Sequence, residues 1–141
     1  MNSLMKPSVL VCVTGQYDCD RLIREGHKKA EMLKQELHIV SVHNPEEDLT
    51  KMSEEFEHLY RISKSLGADM TILFDKNAPT AAAGFAKKVN ATELVTGMPD
   101  GRPNGFIVLL HELMPALQLT MVTKQNECLI YSVRHFDRAY A

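Results

Sequence analysis

The sequence predicts an α/β protein, a three-layer α/β/α sandwich around a parallel sheet, and three observations support this prediction. Continuous apolar runs rich in β-branched residues, such as residues 8–13 (SVLVCV), indicate strands buried on both faces. Between these runs, apolar residues recur at three- and four-residue steps, which is the spacing of an amphipathic helix. The two patterns alternate along the chain, and strands joined by crossover helices form a parallel sheet covered on both faces.

The first predicted strand, residues 8–13, leads through a polar turn into the first helix. Asp18 or Asp20 is available as the N-cap of this helix. Gly26 lowers helix propensity, and we expect a close approach of the helix to the sheet to explain its presence. The inward face of the helix is predicted to contain residues at helical spacing: Leu22, Ile23, Gly26, Ala30, Leu33 and Leu37.

The later elements follow the same alternation. Residues 37–42 form the second predicted strand, and the acidic segment 44–48 is expected to open the second helix, since carboxylates favour a helix N-terminus. Gly67 is expected to end that helix in a left-handed conformation. The remaining predicted elements are a strand over 70–74, a helix over 80–89, a strand over 93–96, a loop over 97–105, a helix over 106–114 and a strand over 117–123.

The C-terminal segment extends past the fifth predicted strand. We expect residues 1–126 to form one domain and residues 127–141 to belong to the same domain or to a dimer interface. Residues 128–133 have a strand pattern, and the short turn before them would make this strand antiparallel to strand five. The strand could instead pair with a second copy of the chain and bury the sheet edge in a homodimer, which is the expectation we favour.

Composition narrows the class of protein. The net charge of −2 gives no broad basic surface for nucleic acid or an anionic membrane, and no apolar run approaches the roughly 18 residues that span a bilayer. The start of the chain lacks a signal-peptide pattern, and the three cysteines form neither a CxxC motif nor a disulfide framework. The six histidines lack metal-ligand spacing. We therefore expect a cytoplasmic protein without a bound metal.

The most distinctive segment is residues 97–106 (GMPDGRPNGF), between a predicted strand and a predicted helix. The first amides of that helix, residues 106–108, could face an anion. Gly97 and Gly105 would let the backbone approach a phosphate, and Arg102 would supply positive charge. The same residues could simply turn the chain at the surface, so both interpretations stay open. The segment is not a Walker A loop, because no Gly-Lys-Ser/Thr ends it.

Several segments together resemble the universal stress protein family: residues 9–15 (VLVCVTG), 21–24 (RLIR), 66–69 (LGAD), 91–97 (ATELVTG) and the loop that ends at Gly105. The resemblance covers residues 8–123 and is greatest to the universal-stress-like domain of potassium-sensing histidine kinases of the KdpD type. It implies a sheet of order 3-2-1-4-5, frequent homodimerisation and a small nucleotide ligand. That ligand would be an adenine nucleotide such as ATP or AMP, or cyclic di-AMP.

The resemblance also implies a ligand site at the carboxyl ends of the strands. The first loop would meet ribose or phosphate, Val42 would offer backbone groups to the base, and the segment after strand four would hold phosphate. The site residues implied in this way are Thr14, Gly15, Gln16, Val42, Phe74, Asp75, Asn77, Gly97, Arg102, Gly105 and Phe106. Phe106 departs from the family pattern, since ATP-binding members place a hydroxyl residue there. A protein-interaction module that binds no nucleotide is therefore the alternative.

Two further classes of protein match the sequence only in part. A phospho-receiver would use Asp75, Thr96 and Lys124, which fit by position, but it also needs an acidic pair after strand one, and residues 14–16 (TGQ) supply none. An adenylating enzyme would need a serine- and glycine-rich loop at the same place. The sequence thus predicts a sensory or adaptor protein with an unidentified protein partner rather than an enzyme, and the receiver remains the more distant alternative.

Overall fold

The computed structural model describes residues 6–14, 17–98 and 103–131, and in this part of the chain six strands form one sheet. Four α-helices and two short 3₁₀ helices, Tyr17–Cys19 and Thr50–Met52, connect the described strands. The strands are β1 (Ser8–Cys12), β2 (Glu36–His43), β3 (Asp69–Phe74), β4 (Ala91–Met98), β5 (Gln118–Thr123) and β6 (Cys128–Ile130). The helices are α1 (Asp20–Leu33), α2 (Ser53–Ser65), α3 (Ala78–Lys88) and α4 (Gly105–Leu113).

The sheet has the order β3-β2-β1-β4-β5-β6. The first five strands are parallel, which confirms both the α/β class and the implied order 3-2-1-4-5. β6 runs antiparallel to β5 in the same chain, with Met121 opposite Leu129. Of the two pairings predicted for the C-terminal strand, the structure has the one within the chain. Residues 132–141, which complete that predicted segment, lie outside the described residues.

Two apolar clusters cover the two faces of the sheet and make the three-layer sandwich. Alternate residues of β1 point to opposite faces, as the pleat of a strand requires. Val9 and Val11 pack with α1 and α2, whereas Leu10 and Cys12 pack with α3 and α4. All five residues of β1 are buried, as the continuous apolar run predicted.

Gly26 is where α1 comes closest to the sheet. A Cβ atom built on Gly26 would overlap Cγ2 of Val11 and would lie 3.3 Å from Cδ1 of Leu37. The predicted close approach is therefore confirmed. The missing side chain allows α1 to lie directly on β1 and places the first turn of α1 over the carboxyl end of that strand.

The second helix begins later than predicted. Residues 44–48 were expected to open it, but α2 starts at Ser53. The side chain of Asn44 accepts a hydrogen bond from the amide of Glu46, and that of Asp48 accepts two from Thr50. These bonds from Thr50 hold the pKa of the Asp48 carboxyl below its usual value. Short polar side chains that bond the backbone two residues on stabilise turns, and they compete here with helix formation.

Other boundaries also differ from the prediction. Asp18 lies in a 3₁₀ helix and Asp20 is the first residue of α1, whose N-cap position is Cys19 without a side-chain cap. Strand β4 runs from Ala91 to Met98 rather than over 93–96, so Gly97 is a strand residue and not the start of the loop. The predicted left-handed conformation of Gly67 is confirmed, with φ of 75°.

Candidate functional site

A cavity of about 570 Å³ opens at the carboxyl ends of β1 and β4. Strands β2 and β3 lie on one side of β1, whereas β4 and β5 lie on its other side. The strand order therefore reverses between β1 and β4, which is the topological switch point of the sheet. Ligands of open α/β sheets bind at this position. The volume lies within the range of small-molecule sites, about 300–1,000 Å³.

The cavity brings together four of the predicted site residues: Thr14, Val42, Gly97 and Phe106. Thr14 follows β1, Val42 lies near the end of β2, Gly97 lies near the end of β4 and Phe106 lies in the first turn of α4. These positions come from four separate segments, and the parallel sheet gathers them at one edge. Their roles in binding remain predictions.

The other predicted residues are placed differently. Phe74, Asp75, Asn77 and Gly105 do not line this cavity. The side chain of Asn77 caps α3 by accepting a hydrogen bond from the amide of Thr80, and that of Asp75 accepts one from the amide of Asn77. Phe74 is largely exposed. Gly15, Gln16 and Arg102 lie outside the described residues.

The amides at the start of α4 are arranged differently from the prediction. Oδ1 of Asn104 accepts a hydrogen bond from the amide of Ile107 at 3.0 Å. The carbonyl oxygen of Asn104 accepts another from the amide of Val108 at 3.1 Å. Two of the three amides expected to face an anion are therefore bonded to the N-cap residue. Phe106 is half-buried and packs against the apolar cluster on the α3 and α4 face of the sheet.

The cavity is also lined by two cationic residues, Arg21 and Lys124. Neither was predicted from the sequence to be a binding-site residue. Arg21 lies in the first turn of α1, and Lys124 directly follows β5. Nη1 of Arg21 donates a hydrogen bond to the carbonyl oxygen of Thr123 at 2.9 Å. Arg21 belongs to the segment 21–24 (RLIR) that carries part of the family resemblance, and Lys124 follows a predicted strand, but neither feature indicated a ligand contact.

Thr96, Asn104 and Asp18 also line the cavity. Thr96 and Lys124 are two of the three residues that a phospho-receiver would use. Asp75, the residue that a receiver would phosphorylate, does not line the same cavity. The geometry therefore gives the receiver interpretation no support.

A buried polar network closes the side of the site next to β2. The hydroxyl of Ser41 donates to the carbonyl oxygen of Val13 at 2.8 Å and lies 2.6 Å from Nε2 of His43. Nδ1 of His43 lies 2.9 Å from Oε2 of Glu47, and the ring of Phe56 makes an edge-to-face contact with the imidazole.

Two thiols lie in the wall of the cavity. Burial raises the pKa of Cys12 to about 12, so this thiol stays protonated and serves as a small apolar side chain. Cys19 is buried, and its sulfur lies 3.4 Å from Oγ1 of Thr14. Both thiols are buried, whereas a reactive cysteine is at least partly exposed.

A second depression, of about 530 Å³, lies at the opposite end of the sheet. It is lined by the end of α1, the start of β2 and the turn after α2, including Gln35, Gly67 and Asp69. Several of its ionisable side chains contact one another: Nε2 of His27 lies 3.2 Å from Oε1 of Glu31, and Nε2 of His38 lies 3.5 Å from Oε1 of Glu36. It lies away from the carboxyl ends of the strands, so we assign it no ligand.

The described part of the chain contains neither a candidate metal site nor a membrane-spanning helix. Residues 6–14, 17–98 and 103–131 contain no group of three or more histidine, cysteine, aspartate or glutamate side chains that could hold a metal ion. In the same ranges, no helix has the length and apolar character needed to cross a membrane.

The architecture is that of the universal stress proteins. A universal stress protein from Archaeoglobus fulgidus superposes with a TM-score of 0.64 at 17% identity, covering 86% of this chain and 96% of that one. The universal stress protein from Archaeoglobus fulgidus in complex with dAMP gives a TM-score of 0.59 at 18% identity, covering 85% and 98%. A universal stress protein in complex with cAMP gives 0.51 at 18% identity, covering 66% and 73%.

The sequence is similar to that of a particular signalling protein. The sensor protein KdpD of Mycobacterium tuberculosis is 32% identical over 89 residues, which cover 63% of this chain. The match covers 10% of the sensor protein, so this chain spans at most a small part of the curated relative. No protein-family model matches the chain. The resemblance predicted from the sequence is confirmed: the fold is that of the universal stress proteins, and part of the sequence is similar to KdpD.

Proposed function

We propose that the chain is a universal-stress-like sensory or adaptor domain that binds an adenine nucleotide in the cavity between β1 and β4. The observation that carries this proposal is the cavity itself, which lies at the switch point and combines apolar walls with Arg21 and Lys124. The complexes of two fold neighbours with dAMP and cAMP support the choice of an adenine nucleotide. We expect ligand binding to change a protein contact in the cytoplasm.

The same geometry supports a binding role rather than a catalytic one. Ser41, His43 and Glu47 are arranged as in a hydrolase triad, but Ser41 is fully buried and its hydroxyl donates to the carbonyl oxygen of Val13. A nucleophile must reach the substrate, and this hydroxyl does not open into the cavity lined by Thr14 and Thr96. The triad-like network is therefore proposed to be structural.

A thermal-shift panel tests the proposed function. The ligands are AMP, ADP, ATP, cAMP and cyclic di-AMP, with GMP as the control for recognition of the base. A ligand that binds only the folded state at about one hundred times its Kd adds about 2.7 kcal/mol to the free energy of unfolding. We expect at least one adenine nucleotide to raise the melting temperature by several degrees and GMP to raise it less. A flat panel at millimolar ligand would contradict nucleotide binding.

A protein-interaction module is the second candidate, and exposed apolar side chains favour it. Val108, Leu109 and Leu113 on α4 and Leu129 and Ile130 on β6 are exposed. His111 of α4 makes an edge-to-face contact with Tyr131, the residue that follows β6. A homodimer through this surface would differ from the one expected from the sequence, in which the C-terminal strand pairs with a second copy, and light scattering over a range of concentrations tests it. A flat ligand panel would make this the leading interpretation.

A further inference from the structure

The positive charge of the cavity is concentrated on one wall. Arg21 is tied to the end of β5 by its 2.9 Å hydrogen bond to the carbonyl oxygen of Thr123, and Lys124 is the next residue. Both side chains line the cavity. Asp18 is the acidic residue among the described lining groups, so the two cations exceed the negative charge. An anion in this cavity would gain most from the wall formed by α1 and β5.

The opposite wall, at the start of α4, provides fewer hydrogen-bond donors for an anion. Oδ1 and the carbonyl oxygen of Asn104 accept the amides of Ile107 and Val108, and the side chain at the first turn is the phenyl ring of Phe106. A phosphate placed there would have to displace the N-cap bond and lie against an aromatic ring. Moving it towards Arg21 and Lys124 removes both penalties.

We propose that Arg21 and Lys124 hold the phosphate of the bound nucleotide, in place of the amides at the start of α4. This inference rests on the proposed function and adds where the anion lies and which residues select it. The hydrogen bond to Thr123 uses one of the five guanidinium N–H donors and orients the group, so other donors can bind two phosphate oxygens together. Lys124 adds a point charge on a flexible stem.

Gly97 contributes to the same arrangement. A Cβ atom at this position would lie 4.0 Å from Nη2 of Arg21 and 3.7 Å from Cδ1 of Leu22. These are ordinary contact distances, so the backbone itself does not demand glycine here. The missing side chain leaves the space beside the guanidinium open for a phosphate oxygen.

The test compares AMP with adenosine, which carries the same base and ribose without the phosphate. Calorimetric titrations give both affinities for the unmodified chain and for Arg21→Gln, Arg21→Lys and Lys124→Gln. Lys28→Gln, on the exposed face of the same helix α1, is the matched control. The quantity compared is the ratio of the AMP and adenosine affinities within one variant, because that ratio does not change when a variant is partly unfolded.

We expect the unmodified chain to bind AMP more tightly than adenosine. Arg21→Gln is expected to weaken AMP binding by about 10- to 100-fold, which is the range for loss of a charged hydrogen-bonding partner. Lys124 is exposed, so Lys124→Gln is expected to weaken it by about 3- to 10-fold. Arg21→Lys should fall between the unmodified chain and Arg21→Gln. Adenosine binding and the Lys28→Gln variant should stay nearly unchanged.

The possible failures are distinguishable. If AMP binds but its advantage over adenosine survives in Arg21→Gln and Lys124→Gln, the assignment of the phosphate to these residues is wrong and the proposed function stands. If adenosine binds as tightly as AMP to the unmodified chain, the site recognises a nucleoside and the assignment is likewise wrong. If neither ligand binds, the assignment of the phosphate is wrong, and the proposed function then depends on whether another adenine nucleotide of the thermal-shift panel binds.

Discussion

Replacing Gly26 by alanine is expected to lower the free energy of unfolding by about 2 kcal/mol. The new methyl group would overlap Cγ2 of Val11, which is fully buried in the central strand β1. Valine has a restricted χ1 angle, so relief requires α1 to move away from the sheet rather than a small rotation. Overpacking of a core costs about 1–3 kcal/mol, and the better helix propensity of alanine offsets at most about 1 kcal/mol of it.

Gly84→Ala is the matched control for this prediction. Gly84 also lies within a helix, but it is exposed, and a Cβ atom there would have nothing within 4 Å. The same substitution should therefore raise the free energy of unfolding by about 0.5–1 kcal/mol. Urea denaturation followed by circular dichroism measures both variants. Equal or stabilising effects at the two positions would contradict the close contact of α1 with β1.

Replacing His43 by alanine is expected to lower the free energy of unfolding by about 2–3 kcal/mol. The ring is almost completely buried, and its nitrogens lie within hydrogen-bonding distance of Ser41 and Glu47. Its removal breaks both contacts, loses the edge-to-face contact with Phe56 and leaves a cavity that the rigid end of β2 fills only in part. The loop between β2 and α2 would lose its connection to Val13 in the wall of the ligand cavity.

His27→Ala serves as the control for this variant. His27 pairs with Glu31 on the surface of α1, and exposed pairs four residues apart contribute about 0.3–0.5 kcal/mol. In urea denaturation, the free energies of unfolding of the two variants should therefore differ by about 2 kcal/mol. If His43→Ala were as mild as His27→Ala, the network of Ser41, His43 and Glu47 would not stabilise the fold.

The fold was predictable because its main signals are local and repeated. The structure confirms three of these signals: the buried strand over residues 8–13, the helical spacing of the first helix and the left-handed glycine at position 67. The start of the second helix was not predictable from acidic residues alone. Side-chain bonds of Asn44 and Asp48 to the backbone favour turns at that point, and the helix dipole does not decide between the two.

The site was only partly predictable. The rule for parallel sheets placed Thr14, Val42 and Gly97 at one edge, because it depends on strand order alone. Arg21 precedes β2 and Lys124 follows β5, so the two residues are far apart in sequence. Their proximity depends on the packing of α1 beside the end of β5. The hydrogen bond from the amide of Ile107 to Oδ1 of Asn104 depends on the rotamer of one side chain. Neither feature has a spacing that a reader of the sequence could recognise.

The central claim is that a nucleotide binds at the carboxyl ends of β1 and β4, and nuclear magnetic resonance with a ¹⁵N-labelled chain tests it most directly. On titration with AMP, the amide resonances of Thr14, Thr96, Gly97 and Lys124 are expected to shift together and to saturate with one Kd. The resonances of Gln35, Gly67 and Asp69, at the opposite depression, should stay in place. Shifts confined to that opposite end, or no shifts at millimolar AMP, would contradict the claim.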